Sequence, residues 1–545
     1  MAESVLLPPR AQTVIVLVLN SWAASFLILL LFVRTLPPTL TPIPGPADAE
    51  AAWWGLWPIT YLPGWAMLAG TLAVLLALAV GRWGFWILDW RFWIGVVAAL
   101  GLFGAFWLFQ VPHTRWGDAY ILTYGIAYAD PALRLTHSWQ APLDLFLHSQ
   151  VWLALHERLG WETARPVYRL LSPLAGGIYL AVAVALGRDR RVGPGWLTFG
   201  LLASIGVIQL FFGYVENYSF AAAGILLYLW LGLGVLRGER PLWLAATVLA
   251  VTNAIHPSTV VYAPSLVFVA CCVGKAKGKR QSAKGKRVGS QVTILLSVAL
   301  PMLIVAVGTV LLMESGGHGL SALLSSDRPG GGDGRWLVPL FATATRWEHY
   351  TMVSWGHLRD IVNEQMLVGP VVLPVLAVLG GALLFDKAKG KRQSAKGKRI
   401  VAERTAHSSA PLAPQPWGEL STTSPRIGGR GAEAGEQLLA ERTVWADDHS
   451  QFSILNSQFS KFLFLAALFH LLLTWVWNPD YGGQRDWDLF ALAAIPSALL
   501  LAYALPRLLT ERRQLFAATL PLLTVQALHT AAWIYQNTLP WDWPG

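Results

Sequence analysis

The most chemically suggestive stretch of the sequence is NPDYGGQRDWD, residues 478–488, which separates two long apolar runs. A turn needs the Asn-Pro and Gly-Gly pairs of this stretch, but it does not need Arg485, Asp486 and Asp488 together. The planar guanidinium of Arg485 can donate two parallel hydrogen bonds to a phosphate. Asp486 or Asp488 could hold that arginine in place or could bind a divalent metal through oxygen. These residue types predict a charged site next to an apolar environment.

Four other short segments carry the remaining unusual polar residues: WGDAY at 116–120, THSWQAPLDLFLH at 136–148, GYVENY at 213–218 and NAIHPS at 253–258. Few charged residues lie inside the apolar runs, so the polar residues gather at the ends of those runs. The ionisable side chains in these segments that could act on a substrate or hold a metal are Asp118, His137, Asp144, Glu216 and His256.

Most of these residues also have a simpler structural interpretation. Asp118 precedes a helix-like run and could cap that helix. Asp144 and His148 are four residues apart, which favours a solvated pair on the exposed face of a surface helix. Glu216 lies in a tight turn, where polar residues are ordinary. His256 precedes a proline and could mark the break between two helices.

The composition places these segments in a membrane protein. Hydrophobic residues make up 54% of the 545 residues, charged residues make up 13%, and mean hydropathy is +0.48. A soluble globular protein carries roughly twice that charged fraction. Apolar stretches of about 17–23 residues, the length that crosses a bilayer core, recur along the chain. The sequence therefore predicts an all-α, polytopic transmembrane protein, and we expect it in a bacterial inner (plasma) membrane.

Loop lysines and arginines predict how the chain crosses the membrane. With the N-terminus inside, every lysine falls on the inner side, including both copies of KAKGKRQSAKGKR, at 275–287 and 387–399. Inner loops then explain the net charge of +10, and no nucleic-acid partner is expected. We predict about 13 spans, near 12–33, 61–80, 92–110, 167–187, 196–213, 219–236, 241–255, 258–274, 291–313, 366–385, 461–477, 489–506 and 514–535.

This topology divides the chain into three regions. Residues 1–385 form a helical transmembrane region with two long outer loops, at 111–166 and 314–365. Residues 386–460 form a basic, low-complexity cytoplasmic insertion that cannot bury a core and is predicted to be disordered. Residues 461–545 form the C-terminal transmembrane helices, which include the outer turn NPDYGGQRDWD.

Two segments of the outer loops have the spacing of amphipathic helices. Apolar residues repeat at helical intervals in 142–159, and they do the same in 346–366. In the first segment, Asp144 and His148 lie on the face opposite the apolar one. We expect both segments to form helices in the interface on the outer side of the membrane.

The stretch WGDAYILTYGIAYADP at 116–131, followed by HSWQAPLDLFLH at 137–148, resembles the GT-C superfamily of integral-membrane glycosyltransferases. Members use lipid-phosphate-linked sugars on the outer face and typically carry an acidic residue early in a long outer loop, which Asp118 matches. Many continue with a His-Pro-Pro-like stretch, which Ala-Pro-Leu matches in part here, with His137 displaced. In most members this loop follows the first span, whereas here it follows the third predicted span.

The resemblance implies a transferase that moves a sugar from a polyprenyl-phosphate donor to a glycan, lipid or protein acceptor on the outer face. Asp118 would be the general base that takes the proton of the acceptor hydroxyl, and Arg485 would neutralise the leaving phosphate. Membrane lipids are expected partners, and a divalent metal is the one cofactor considered. The residues that would orient the sugar or a metal are His137, Asp144, Glu216 and His256.

Two other functions stay open at this point. A lipid or oligosaccharide transporter or flippase without bond-making chemistry would need a continuous polar path across the bilayer. A non-catalytic assembly partner would carry the same outer polar groups as ordinary loops. The scarcity of charged residues inside the predicted spans favours the enzyme over the transporter.

Overall fold

The computed structural model describes residues 9–36, 49–81, 91–282, 288–324, 335–381 and 457–540 of the chain. Among them the only strand-like feature is one antiparallel bridge between Leu337 and Trp477. Short 3₁₀ helices occur at Trp57–Thr60, Pro131–Leu133, Gly206–Phe211 and Pro257–Tyr262. The α-helices are Pro9–Arg34, Ala49–Trp53, Gly64–Val80, Arg91–Leu108, Ala119–Gly125, Pro142–Leu159, Arg165–Arg188, Gly195–Ser204, Ser219–Leu236, Leu242–Ile255, Ala263–Ser282, Val288–Ser315, Leu320–Leu324, Trp355–Val368, Val372–Gly381, Gln458–Val476, Trp487–Ala491, Ala494–Leu508 and Arg512–Thr538.

The described residues confirm a helical protein with many candidate membrane spans. Four apolar helices are shorter than a full span: Gly64–Val80, Gly95–Leu108, Gly195–Ser204 and Leu242–Ile255. A further candidate arises if Trp355–Val368 and Val372–Gly381 count as one broken span. The predicted total of thirteen spans and their orientation stay predictions. Within the described ranges, eight stretches are long and apolar enough to cross a bilayer: Arg10–Arg34, Arg165–Arg188, Ser219–Leu236, Pro257–Ala276, Gln291–Ser315, Gln458–Val476, Trp487–Leu508 and Arg512–Thr538.

The predicted cytoplasmic insertion, 386–460, lies almost wholly outside the described residues. Its end belongs to helix Gln458–Val476. Ser457 caps that helix, because its hydroxyl accepts a hydrogen bond from the Ser460 amide at 3.0 Å. The first lysine-rich repeat begins inside helix Ala263–Ser282, while its end and the whole second repeat lie outside the described residues.

The chain divides into two units, and the polar segments belong to the one made of residues 7–373 and 454–545. The other unit, 1–6 with 374–453, contributes only residues 374–381 to the description, as part of helix Val372–Gly381. In the first unit, several helices pack against one another in pairs. The main packed pairs are Pro9–Arg34 with Arg512–Thr538, Leu242–Ile255 with Ser219–Leu236 and with Val288–Ser315, Arg165–Arg188 with Ser219–Leu236, and Gln458–Val476 with Ala494–Leu508.

The first of the two predicted amphipathic helices is present with the expected bounds, Pro142–Leu159. Its first turn contains Pro142, which is tolerated there because first-turn amides have no partner within the helix. It ends at Gly160, whose φ of +65° is a conformation that glycine adopts without steric cost. This helix connects the segment around Asp118 to the helix bundle.

The second predicted amphipathic helix, 346–366, is wrong over its first part, because the helix spans Trp355–Val368. The Glu348 carboxylate accepts hydrogen bonds from two backbone amides just before it in the chain, which closes a turn there. The Ser354 hydroxyl then accepts a hydrogen bond from the His357 amide at 3.3 Å and caps the helix. Helical spacing in the sequence did not reveal these competing side-chain bonds.

Candidate functional site

The polar segments of the sequence meet around a cavity of about 310 Å³. Aromatic, amide and aliphatic side chains complete its lining. Arg485, His137 and Asp144 do not line it. The predicted site residues that do line it are Asp118, Glu216, His256, Asp486 and Asp488.

Asp118 is held in the cavity by two side chains from distant parts of the chain. Its Oδ2 accepts a hydrogen bond from Gln140 Nε2 at 2.7 Å, and its Oδ1 accepts one from the Tyr481 hydroxyl at 3.2 Å. The Asp118 side chain makes no capping hydrogen bond to helix Ala119–Gly125. The interpretation of this residue as a simple helix cap is therefore wrong.

Glu216 fixes the backbone that carries Asp118. Its Oε1 accepts a hydrogen bond from the Asp118 amide, and its Oε2 accepts one from the Asn217 amide at 3.3 Å. Gly117, with φ of +44°, lies so close that an added Cβ would stand 2.3 Å from Glu216 Oε1. The Gly117 amide also donates to the Arg485 carbonyl at 3.0 Å. Glycine is thus required here both by backbone conformation and by space.

The segment NPDYGGQRDWD supplies another part of the cavity lining. Asp486 Oδ2 accepts a hydrogen bond from the Tyr481 amide at 2.8 Å, which closes the turn. Asp488 Oδ2 accepts one from the Tyr214 hydroxyl at 3.0 Å. The Arg485 guanidinium lies 4.7 Å from the centroid of the Tyr481 ring, a cation–π contact. The two aspartates thus each accept a hydrogen bond from a tyrosine, Asp486 from the Tyr481 amide and Asp488 from the Tyr214 hydroxyl.

Burial raises the pKa of the Asp118 carboxyl above its ordinary value. Hydrogen bonds from Gln140 and Tyr481 and the charge of Arg485 act in the opposite direction. Because a raised pKa strengthens a carboxylate as a proton acceptor, Asp118 is better suited to general-base chemistry than a solvated aspartate.

The pKa values of Glu216 and Asp486 are raised further, again mainly by burial. The negative charges of Asp488 and Asp118 add to this effect at both groups. Carboxylates this close disfavour each other's ionisation. Burial and mutual repulsion thus both favour the neutral form of these two carboxyl groups.

His256 lies where one helix ends and the next 3₁₀ helix begins, as the His-Pro pair predicted. It also lines the cavity, with its ring centroid 4.3 Å from that of Tyr218. Its Nδ1 accepts a hydrogen bond from the Ser258 amide at 3.3 Å, which places the proton of the neutral ring on Nε2. Burial lowers the pKa of His256 to about 3, so the ring is neutral at physiological pH.

Asp144 and His148 form a buried pair away from the cavity, so the prediction of a solvated pair is wrong. Their side chains are each 1% exposed, and His148 Nδ1 lies 3.1 Å from Asp144 Oδ2. The His148 ring stacks on Tyr168, with centroids 4.0 Å apart. Leu147 and Leu159, on the apolar face of the helix, are exposed. An apolar face can point outward in a membrane protein because lipid tails are as apolar as leucine.

His137 also lies outside the cavity. Its ring is near that of Phe146, at 5.4 Å between centroids, and near that of His318, at 6.2 Å. Thr136 Oγ1 is 3.0 Å from His137 Nδ1. The position of His137 supports a role in packing of the loop rather than a contact with a molecule in the cavity.

Sequence reasoning missed several residues that build the site. Gln140 and Tyr481 hold the Asp118 carboxylate, and both lie in segments that had been singled out for their charged neighbours. Tyr214 holds Asp488 in the same way. Trp336 lines the cavity from a part of the chain where no local motif pointed to it.

No metal centre stands out in the described ranges. Nowhere in residues 9–36, 49–81, 91–282, 288–324, 335–381 and 457–540 do three or more His, Cys, Asp or Glu side chains approach closely enough to hold an ion. The residues at the cavity instead bind one another through tyrosine and amide donors.

Comparison with protein-family models, with curated proteins and with solved structures finds no match for this chain. The cavity and its side chains are therefore the basis for inferring what the protein does.

Proposed function

We propose that this protein is a membrane glycosyltransferase that moves a sugar from a polyprenyl-phosphate donor to a hydroxyl group of a glycan, lipid or protein acceptor. The observation that supports it best is the environment of Asp118. Its carboxylate lines the cavity and is oriented from two sides, by Gln140 and Tyr481. A general base must be held in place and must face a space that a reactant can occupy.

In the proposed reaction, the acceptor oxygen attacks the anomeric carbon while its proton passes to Asp118. The bond between that carbon and the phosphate oxygen breaks, and polyprenyl phosphate leaves with the electron pair. Negative charge grows on the phosphate in the transition state, so a nearby cation lowers the barrier. We assign that role to Arg485, which lies on the ring of Tyr481, the residue that also binds Asp118.

The acidic wall limits where the phosphate can bind. Carboxylates repel a phosphate, so we place the phosphate toward Arg485 and the sugar in the part of the cavity next to Asp118. The raised pKa values of Glu216 and Asp486 reduce that repulsion, because a protonated carboxyl group carries no charge and can donate to a sugar oxygen.

We further propose that the cavity opens on the extracytoplasmic side of a bacterial plasma membrane, in a GT-C-like arrangement with the N-terminus inside and about 13 spans. The clustering of all lysines on one side of the predicted topology supports this orientation. Aliphatic residues on one side of the cavity would receive the prenyl chain, with membrane lipids around them: Val260, Val261, Leu473 and Leu489.

The transporter is the competing hypothesis, and it needs a polar path across the bundle. Helix Arg512–Thr538 does bury polar groups, among them Gln526 and Thr530. Gln526 Nε2 donates to Ser204 Oγ at 2.8 Å, and Thr530 Oγ1 donates to the Ser204 carbonyl at 2.5 Å. These bonds tie two helices together, which is a common use of polar side chains inside membrane bundles.

Mass spectrometry of lipid-linked sugars and glycoconjugates, in cells with and without the protein, tests the proposal. Loss of the protein should leave one prenyl-phosphate sugar accumulated and one glycoconjugate without a sugar residue. Re-expression of the parent chain should reverse both changes. A donor that accumulates only on the inner leaflet, with every glycoconjugate intact when donor is supplied outside, would identify a transporter instead.

A further inference from the structure

Two tryptophan rings face each other along the cavity, although they are far apart in the sequence. Trp336 and Trp477 have centroids 6.3 Å apart and ring planes only 13° apart. Backbone pairing fixes them, because the Val338 amide donates to the Val476 carbonyl and the Asn478 amide donates to the Trp336 carbonyl, each at 2.9 Å. Both residues line the cavity and stay partly exposed.

The rings are rigidly connected to the candidate base. Trp477 begins the short segment that continues to Tyr481, whose hydroxyl donates to Asp118. The side chain of Asn478, in the same segment, donates to the Trp347 carbonyl at 3.0 Å and is almost fully buried. The segment therefore holds the tryptophan pair and the Asp118 contact in one fixed relation.

We infer that Trp336 and Trp477 bind a pyranose ring of the substrate, an inference that rests on the proposed function and specifies its substrate. A pyranose has faces of C–H groups and edges of hydroxyl groups. Aromatic faces are negative and attract such C–H groups, whereas carboxylates and amides bind hydroxyls. The tryptophans supply the first kind of surface. Asn478 and Asp480, from the same segment, supply the second.

Other occupants fit this part of the cavity less well. A phosphate would be repelled by the carboxylate of Asp480. A prenyl chain has no hydroxyl groups that could pair with the carboxyl and amide groups next to the tryptophans. Tryptophans that anchor a protein at the membrane surface point into the head-group region, whereas these two line a cavity shared with Asp118.

The test is a binding measurement by calorimetry on the full chain in lipid nanodiscs, prepared without glycoside detergents. The probes are short-chain prenyl phosphates carrying mannose, glucose or galactose, the same prenyl phosphate without sugar, and free mannotriose, maltotriose and galactotriose. Trp336→Ala and Trp477→Ala should each weaken binding of the sugar probe that the parent prefers by about tenfold. Binding of the sugarless prenyl phosphate should not change.

Two controls separate stacking from folding. Trp477→Phe keeps an aromatic face and should recover most of the lost affinity. Trp243→Ala removes a tryptophan that is 52% exposed and lies outside the cavity, and it should bind like the parent. The inference is overturned if both cavity alanine variants bind every sugar probe as the parent does, or if the parent binds none of them.

The probes also show whether the bound pyranose ring belongs to the donor or to the acceptor. Together with turnover measurements, they test the tryptophan site separately from the transferase mechanism. If the tryptophan variants lose affinity only for prenyl-linked sugars, the tryptophan pair binds the donor. If they lose affinity only for free trisaccharides, the pair binds the acceptor. If the tryptophan variants bind sugar more weakly while Asp118→Asn turns over like the parent, sugar binding by the tryptophans is supported and the transferase mechanism is rejected. If the tryptophan variants bind sugar like the parent while Asp118→Asn loses turnover, the transferase mechanism is supported and sugar binding by the tryptophans is rejected.

Discussion

Two aspartates of the same loop have opposite surroundings. Asp118 borders open space, and its two carboxylate oxygens accept hydrogen bonds from Gln140 and Tyr481. Asp144 does not line the cavity and is packed against His148, next to a core cluster that includes Tyr168. Both looked alike as acidic residues in polar segments of a predicted outer loop.

The difference between them shows what makes an acidic residue a candidate for catalysis. A polar segment identifies where charge is, but it does not show whether a second reactant can reach it. Asp118 meets that requirement because distant segments hold it at the edge of a cavity. Asp144 instead has a partner one turn away on the same helix, His148, whose ring stacks on Tyr168 of the next helix. The following changes would break or sharpen this contrast.

The largest effect is expected for Asp118→Asn. Asparagine keeps the size and the acceptor oxygen of the side chain but cannot take a proton at pH 7. Turnover should fall by roughly 10²–10⁴-fold, the usual contribution of a general base. The measurement is steady-state transfer of labelled sugar by purified protein in nanodiscs, with thermal unfolding followed in parallel.

Asp130→Asn is the matched control, because Asp130 is exposed in the same loop and its side chain accepts only the local Ala132 amide at 2.9 Å among the contacts resolved for it. That variant should turn over like the parent. Normal turnover in a well-folded Asp118→Asn would remove the contrast between the two loop aspartates and favour the transporter.

The next effect is expected for Gly117→Ala. The added methyl group would meet the Glu216 carboxylate at 2.3 Å, and the φ of +44° disfavours any residue with a Cβ. Displacement of the neighbouring Asp118 by about 1 Å should lower turnover by about 10²-fold. Gly160→Ala shares the positive φ but has no atom within 4 Å of the new Cβ, so it isolates backbone strain. Equal turnover in the two variants would show that the Glu216 contact does not position the base.

A smaller, graded effect is expected from pH. Asp118 accepts a proton only when ionised, and burial raises its pKa, so the acidic limb of kcat/KM should lie above the ordinary aspartate range. Below that pKa the rate should fall tenfold per pH unit. Tyr481 donates a hydrogen bond that lowers the pKa of Asp118, so Tyr481→Phe should move the limb to higher pH. A limb at about 3.9, the value of a free aspartate, would contradict the assigned environment.

The sequence was informative about which polar residues line the cavity and less so about the geometry of the cavity. Charge beside apolar runs located Asp118, Glu216 and Asp488, because ionisable residues are rare in a chain of this composition. It did not identify Trp336, since only the backbone pairing of two distant segments brings that ring to the cavity. It predicted that Asp144 is solvated, because helical periodicity identifies two faces without showing which one is buried against the rest of the protein.

The helices likewise include features that the sequence predicted and features that it did not. Apolar length predicted the all-α class correctly, since nearly every predicted span contains an apolar helix in the described chain. The amphipathic pattern of 346–366 did not predict that helix Trp355–Val368 starts late, because the carboxylate of Glu348 closes a turn just before it. Side-chain bonds to the backbone set such boundaries, and they are not visible as periodicity.

The smallest effect on turnover is expected for Asp144→Ala, and it is the change that most directly tests the contrast. The substitution removes the contact of the Asp144 carboxylate with His148 Nδ1 at 3.1 Å and keeps the hydrogen bond between that nitrogen and the residue 144 carbonyl at 2.8 Å, so we expect a loss of about 1 kcal/mol of stability. Thermal unfolding in nanodiscs should therefore shift downward, while turnover per folded molecule stays near that of the parent. His148→Ala should behave alike, and the double variant should be less destabilised than the sum of the single ones, because both remove the same interaction. If Asp144→Ala instead lost turnover as severely as Asp118→Asn without any loss of stability, Asp144 would belong to the site and the contrast between the two aspartates would be wrong.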